Sequence, residues 1–210
     1  MPSRPKIRKN MENPDIIINP GFDLEERVQR ARDNFKVHGY NCCQSVLLAY
    51  ADVIGIDPQT AAVLTSGFGG GMGRLREVCG SVSAMFMIAG YISPAADPTI
   101  KSDRTANYAL VQEVAGKFRE ENGSIVCKEL LGLVPKSTVN KAGIGIPSQT
   151  GNDGKPIELK TESPVPSDRT PEYYRKRPCE DLIACSARII GEKLKEAAMR
   201  QTSASHADVQ

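Results

Sequence analysis

The chain contains neither Cys-x-x-Cys nor Cys-x-x-Cys-His, and it has only two histidines. A thioredoxin-type dithiol, a covalently attached c-type haem and an ordinary zinc ribbon therefore lose their usual signatures. His38 reads as a polar residue at a helix end. Charge of one sign is also lacking: the net charge is +2 over 210 residues. Electrostatics thus give no reason to expect nucleic acid or an anionic membrane as a partner. The basic start, Arg4, Lys6, Arg8 and Lys9, is broken by Pro2 and Pro5 and followed by no hydrophobic stretch, so it matches neither a secretory nor a twin-arginine leader. The uncharged run over 78–96 is diluted by Gly80, Ser81, Ser83, Gly90 and Ser93 and ended by Pro94. It falls short of the roughly 20 apolar residues a membrane span needs and reads as a buried helix. A cytoplasmic location is the resulting expectation. Six cysteines there read as thiols, ligands or redox partners, and a chain of this size can bury a core without disulfides.

What is present is concentrated in Ser66-Gly-Phe-Gly-Gly-Gly-Met-Gly-Arg-Leu-Arg-Glu-Val-Cys79, where five glycines fall within seven residues. No Gly-Lys-Ser/Thr follows and no strand precedes, which excludes a P-loop and removes support for a dinucleotide fingerprint. Gly69, Gly70, Gly71 and Gly73 are candidates to offer backbone N–H groups to an anionic cofactor, with close helix packing as the competing explanation. Cys79 stands near the start of a helix expected over 78–93. The macrodipole and unpaired N–H groups there favour a thiolate, the form that attacks and ligates. Either Arg74 or Arg76 could hold an anion beside it.

Along the chain, Asp23 with Glu26 marks a helix start, and Leu24, Val28, Ala31 and Phe35 follow at helical spacing. A second helix is expected over 40–54, with Gly55 as its stop and both Cys42 and Cys43 bordering its apolar face. Asp57-Pro58 opens a third, and Asp97-Pro98 repeats that signal before a helix with Tyr108, Val111, Val114, Ala115 and Phe118 on one side. Gly123 ends it, and Cys127 lies on a short helical turn. Seven prolines between 135 and 178 argue against any helix in that stretch, although 144–147 and 156–160 suit short strands. The last helix, 178–199, carries Cys179 near the middle of its apolar stripe and Cys185 on the edge.

The expected architecture is all-α: a compact bundle of about six helices with a long irregular insertion before the C-terminal helix. Residues 1–22 form a disordered or extended arm, 23–134 with 176–200 the cysteine-bearing domain, 135–175 the insertion and 201–210 a flexible tail.

Tyr40-Asn-Cys-Cys-Gln-Ser-Val-Leu-Leu-Ala, the glycine loop, Cys79-Gly-Ser-Val-Ser-Ala-Met-Phe-Met-Ile-Ala-Gly90, Cys127-Lys-Glu-Leu-Leu-Gly132 and Cys179-Glu-Asp-Leu-Ile together resemble the C_GCAxxG_C_C family over roughly 24–133 and 176–198. The resemblance implies a small helical redox domain with Cys42, Cys79, Cys127 and Cys179 as the matched cysteines. Cys43 stands where the family usually has a small residue, and Cys185 lies outside the pattern. Because related sequence accompanies iron–sulfur chemistry, the first expectation is an electron-transfer protein whose four cysteines bind an iron–sulfur cluster. A metal-free thiol–disulfide oxidoreductase is the second, with Cys79 attacking and Cys42 or Cys43 resolving. A structural zinc-binding interaction protein is the third. The partner would be a redox protein or a small-molecule electron acceptor, with no nucleic acid and no membrane span, and homo-oligomerisation is left open.

Overall fold

The computed structural model describes residues 18–19, 21–134 and 163–207, with side chains to Gln201, and the backbone at 138–139 and 145–146. The arm reading for 1–17, the strand expected at 156–160 and the side chain of His206 lie outside the described residues. Helix α1 (Leu24–Lys36) starts where Asp23 Oδ1 accepts the Glu26 N–H at 2.8 Å. Its Val28, Ala31 and Phe35 are buried, one stripe at helical spacing. Helix α2 (Cys42–Tyr50) begins under a capping box in which Asn41 Oδ1 accepts from the N–H groups of Cys43 and Gln44, and Gln44 Oε1 accepts from the Asn41 N–H. Helix α3 (Pro58–Thr65) follows the Asp57 cap with proline at its first position, and a single 3₁₀ turn (Ser66–Phe68) carries the chain into the glycine loop.

Helix α4 (Gly80–Ile92) is followed by α5 (Lys101–Asn122), which Gly123 stops at φ 81°. The four-residue α6 (Cys127–Leu130) precedes a two-residue antiparallel ladder, β1 (Thr138–Val139) with β2 (Gly145–Ile146), in which Thr138 faces Ile146. A short α7 (Pro171–Arg175) leads to the long α8 (Cys179–Ala207). The all-α expectation holds, with eight α-helices among the described residues rather than about six.

Helix α1 packs on α8 and α2, α4 packs on α2 and α8, and α5 packs on α4 and α8. Tyr50, Phe35, Phe118, Met85, Ile183 and Ile190 are fully buried between them. Each stabilises the fold by about 1.5–3 kcal/mol relative to exposure. Arg32 reaches Glu180 and Asp181 at 3.2 and 3.1 Å, and Lys36 reaches Glu180 at 3.2 Å. These contacts tie the start of α8, and with it Cys179, to α1.

Three local expectations are corrected. Asp97 does not start α5: its carboxylate accepts from the Thr99 N–H and hydroxyl in a local turn, and the helix begins at Lys101. Tyr108 is 60% exposed, while Val114, Ala115 and Phe118 carry the buried face. The proline-rich stretch does contain a helix, because Thr170 caps the Tyr173 N–H at 3.2 Å and Pro171 takes the first helical position, where a missing N–H costs nothing.

A candidate four-cysteine site at four helix starts

Cys42, Cys127 and Cys179 are the first residues of α2, α6 and α8, and Cys79 is the N-cap of α4. Each sulfur thus sits where backbone N–H groups lack intrahelical partners and, for the three longer helices, where the macrodipole favours negative charge. Two backbone devices bring these starts together. Asn41, while capping α2, also donates through Nδ2 to the carbonyls of Thr65 and Ser66, fastening α2 to the entrance of the glycine loop. The segment after the loop pairs antiparallel with the chain before α6: Cys79 N–H donates to Ile125 O at 2.8 Å and Cys127 N–H to Glu77 O at 2.6 Å.

The glycine loop is the strained part of this end. Gly70, Gly71, Met72, Gly73 and Arg74 have consecutive φ values of 64, 72, 62, 61 and 69°, and Arg76 adds a further 61°. A left-handed conformation costs roughly 1–2 kcal/mol for each non-glycine residue. Such strain persists only where surrounding contacts hold it, and it concentrates at functional sites. At Gly71 a Cβ would come within 2.6 Å of the Cys127 Cβ, and at Gly80 within 2.7 Å of Phe68 O and 3.1 Å of the Cys43 nitrogen. Glycine at these two positions lets the loop lie on α6 and the start of α4 lie on the start of α2.

Cys42, Cys79, Cys127 and Cys179 line one cavity of about 50 Å³, with Gly70, Arg76, Arg169, Tyr173 and Arg177 around it. That is room for a few water-sized groups, far below the roughly 300 Å³ at which pockets for organic ligands begin. Gly70 is the member of the glycine loop that lines the cavity, and its backbone bonds the Cys42 sulfur. Gly69 packs on Asn41, Gly71 on Cys127, and Gly73 serves the turn. Cys43 is fully buried beside the cavity without lining it. Cys185 lies elsewhere, accepting from Asn122 Nδ2 at 3.2 Å and donating to Glu121 Oε2 at 3.3 Å.

Inside the cavity Cys42 and Cys179 share a hydrogen bond. It holds the Cys179 thiol below its ordinary value and, with burial, pushes Cys42 well above, so this pair loses its first proton at Cys179. Burial pushes Cys79 up to about 11, against the opposing hydrogen bonds from the Ser81 hydroxyl and the N–H groups of Ser81 and Val82. The thiolate-favouring effect expected from the helix start at Cys79 is present but outweighed by desolvation. Burial likewise takes Cys127 to about 12, opposed by a hydrogen bond from Arg76. Cys185 also rises to about 12, for the same first reason.

Arg169, Tyr173 and Arg177 were not legible as site residues. They come from the proline-rich segment, where the one local clue was Thr170-Pro171, a cap-and-proline start like that of α3. Arg169 lies over the rings of Phe35 at 4.8 Å and Tyr173 at 5.6 Å, and Arg177 over Tyr173 at 4.7 Å. Arg74 reaches back from the glycine loop to the Ser163 carbonyl at 2.8 Å and the Ser167 hydroxyl at 3.3 Å, joining the loop to this strap.

Among the described residues, no group of three or more His, Cys, Asp or Glu side chains that could hold a metal ion is found. No helix among them is long and apolar enough to cross a membrane. No curated protein and no solved structure matches the chain. A family model described as "Putative redox-active protein (C_GCAxxG_C_C)" matches residues 40–193, more than half of the chain and all four cavity cysteines. The chain belongs to the C_GCAxxG_C_C redox-active protein family.

Proposed function

We propose that this protein transfers electrons through an iron–sulfur cluster held by Cys42, Cys79, Cys127 and Cys179. The observation that carries the reading is the convergence of four cysteines, each from a helix start, on one small cavity. The donor set suits the group: both [2Fe–2S] and [4Fe–4S] clusters are commonly held by four thiolates, and when bound they supply one-electron chemistry.

The protein's own part is to present the sulfurs at helix starts, to bond Cys42 through the Gly70 backbone and to keep the centre largely out of water. Electrons would pass to a partner protein or a small-molecule acceptor. Single serine substitutions test the assignment. Each of Cys42→Ser, Cys79→Ser, Cys127→Ser and Cys179→Ser is expected to lose bound iron while remaining folded by circular dichroism, whereas Cys43→Ser and Cys185→Ser keep it. Iron retained by any of the first four, or lost with Cys43→Ser, would overturn the ligand set.

A specific contact favours a second reading, thiol–disulfide exchange, but with different residues from those expected. The paired thiols are Cys42 and Cys179, and Cys179, the more acidic of the two, is the attacking sulfur in place of Cys79. Cys179 thiolate would attack one sulfur of a disulfide substrate and release the other as a thiol, and Cys42 would then displace the bound half, closing a Cys42–Cys179 disulfide. Two substrate thiols form and two protein thiols are oxidised. Iron-free protein that reduces a disulfide substrate and yields a Cys42–Cys179 cross-linked peptide would place this reading first.

A further inference from the structure

We propose that Arg169 and Arg177 are positioning residues that compensate the negative charge of the four-cysteine centre and set its reduction potential. The inference rests on the metal-binding reading above. Three guanidinium groups line the cavity alongside four cysteines, and no carboxylate occurs among its described lining residues. Two of them, the exposed Arg169 and the partly exposed Arg177, bring their charge to the cavity from the strap. Around a tetrathiolate cluster, which is anionic overall, the same charges are balanced, because the charge of the centre and not only its shape decides what the cavity holds.

The three arginines approach from two sides. Arg76, 6% exposed, reaches Cys127 from the glycine loop. Arg169 and Arg177 come from the strap, one on each side of Tyr173, and act on Cys42 and Cys179 respectively. Stacking on Phe35 and Tyr173, with an Arg169 Nη1 donation to Phe35 O at 3.3 Å, fixes the guanidiniums without neutralising them. Arg177 is the more enclosed of the two and is therefore less screened by solvent, so it carries the larger share.

Adding an electron makes the centre more negative. Nearby fixed positive charge favours that state and raises the potential, and its removal lowers the potential. The test uses full-length protein, reduced and reconstituted anaerobically with ferrous iron and sulfide, then titrated for midpoint potential and assayed for iron per folded chain. The expected result is a more negative midpoint in Arg177→Gln, a smaller negative shift in Arg169→Gln, and a return toward the parent value in Arg177→Lys and Arg169→Lys. Arg175→Gln is expected to leave the midpoint unchanged, since Arg175 sits on the same strap outside the cavity and pairs with Glu172. Glutamine variants that load iron only when converted to lysine also support the proposal. Unchanged midpoints in both glutamine variants, or loading lost equally in the glutamine and lysine variants, would overturn it while leaving the cluster reading intact. A parent protein that takes up no iron would overturn the cluster reading and the inference with it.

Discussion

The two ends of α2 carry opposite kinds of chemistry. At its C-terminal end Tyr50 is fully buried, its hydroxyl donates to Ala187 O at 2.8 Å, and Gly191 of α8 leaves room for the ring. Apolar groups are covered there and the phenolic hydroxyl is satisfied. At its N-terminal end lie Cys42, a loop with five consecutive positive φ values and three guanidinium groups around one cavity. The positive φ values of Met72, Arg74 and Arg76 oppose folding, while the stacking of Arg169 on Phe35 supports it. Backbone strain is confined to the site end, while the other end has satisfied, close-packed groups.

Substitutions at the two ends should therefore fail differently. The largest stability effect is expected from Ile190→Ala in the packed middle, where removing a fully buried side chain costs about 2–5 kcal/mol. Chemical denaturation should show the loss, while the chains that remain folded keep their iron. Gly191→Ala is next, since its Cβ would strike the Tyr50 hydroxyl and the Leu24 side chain. Overpacking of this kind costs about 1–3 kcal/mol, again with iron retained. Gly71→Ala has a comparable thermodynamic effect, about 1–2 kcal/mol for forcing alanine to positive φ in addition to its own clash with Cys127 and the Arg76 backbone, but a larger functional one. Its Cβ displaces the loop from Cys127, so bound iron should fall sharply in protein that remains folded. Equal iron retention in Gly71→Ala and Gly191→Ala would remove the distinction between the two ends.

The smallest effect is a pH dependence far from the site. A hydrogen bond from Lys193 at 2.7 Å holds the Glu113 carboxyl below its ordinary 4.5, and the same contact raises Lys193 above 10.5. Because the folded carboxyl is the more acidic, its contribution to stability is present above pH 4.5 and lost as pH falls through the lowered value. The lysine's contribution is present below pH 10.5 and lost as pH rises beyond it. Glu113 is half exposed, so the pair stabilises by no more than about 1 kcal/mol. Glu113→Gln should flatten the acid limb of stability against pH without changing iron content.

Much of the packed end was legible because its signals are local. Asp23, Asn41 and Asp57 announce the helices they cap, Gly123 ends α5 and the stripe of α1 is periodic. Asp97-Pro98 misled because an Asx turn and an N-cap use the same residue types, and only the following backbone tells them apart. The site end was legible in its sulfurs but not in its surroundings. The sequence placed Cys42, Cys79 and Cys179 near helix starts and Cys127 on a helical turn, but offered no means of knowing that these starts meet, that burial outweighs the helix start at Cys79, or that Arg169 and Arg177 return from a proline-rich segment to the cavity. Those are facts of long-range approach. A stacked guanidinium leaves no periodic trace in the chain, unlike a buried helix face.

The central claim is that the four helix-start cysteines form one metal centre. Anaerobic isolation followed by visible absorption and iron and sulfide analysis tests it most directly. The account predicts coloured protein with stoichiometric iron and sulfide, from which Cys42, Cys79, Cys127 and Cys179 become alkylatable together only when the iron is removed and the chain unfolded. Colourless, iron-free protein whose four thiols react independently on unfolding would contradict it.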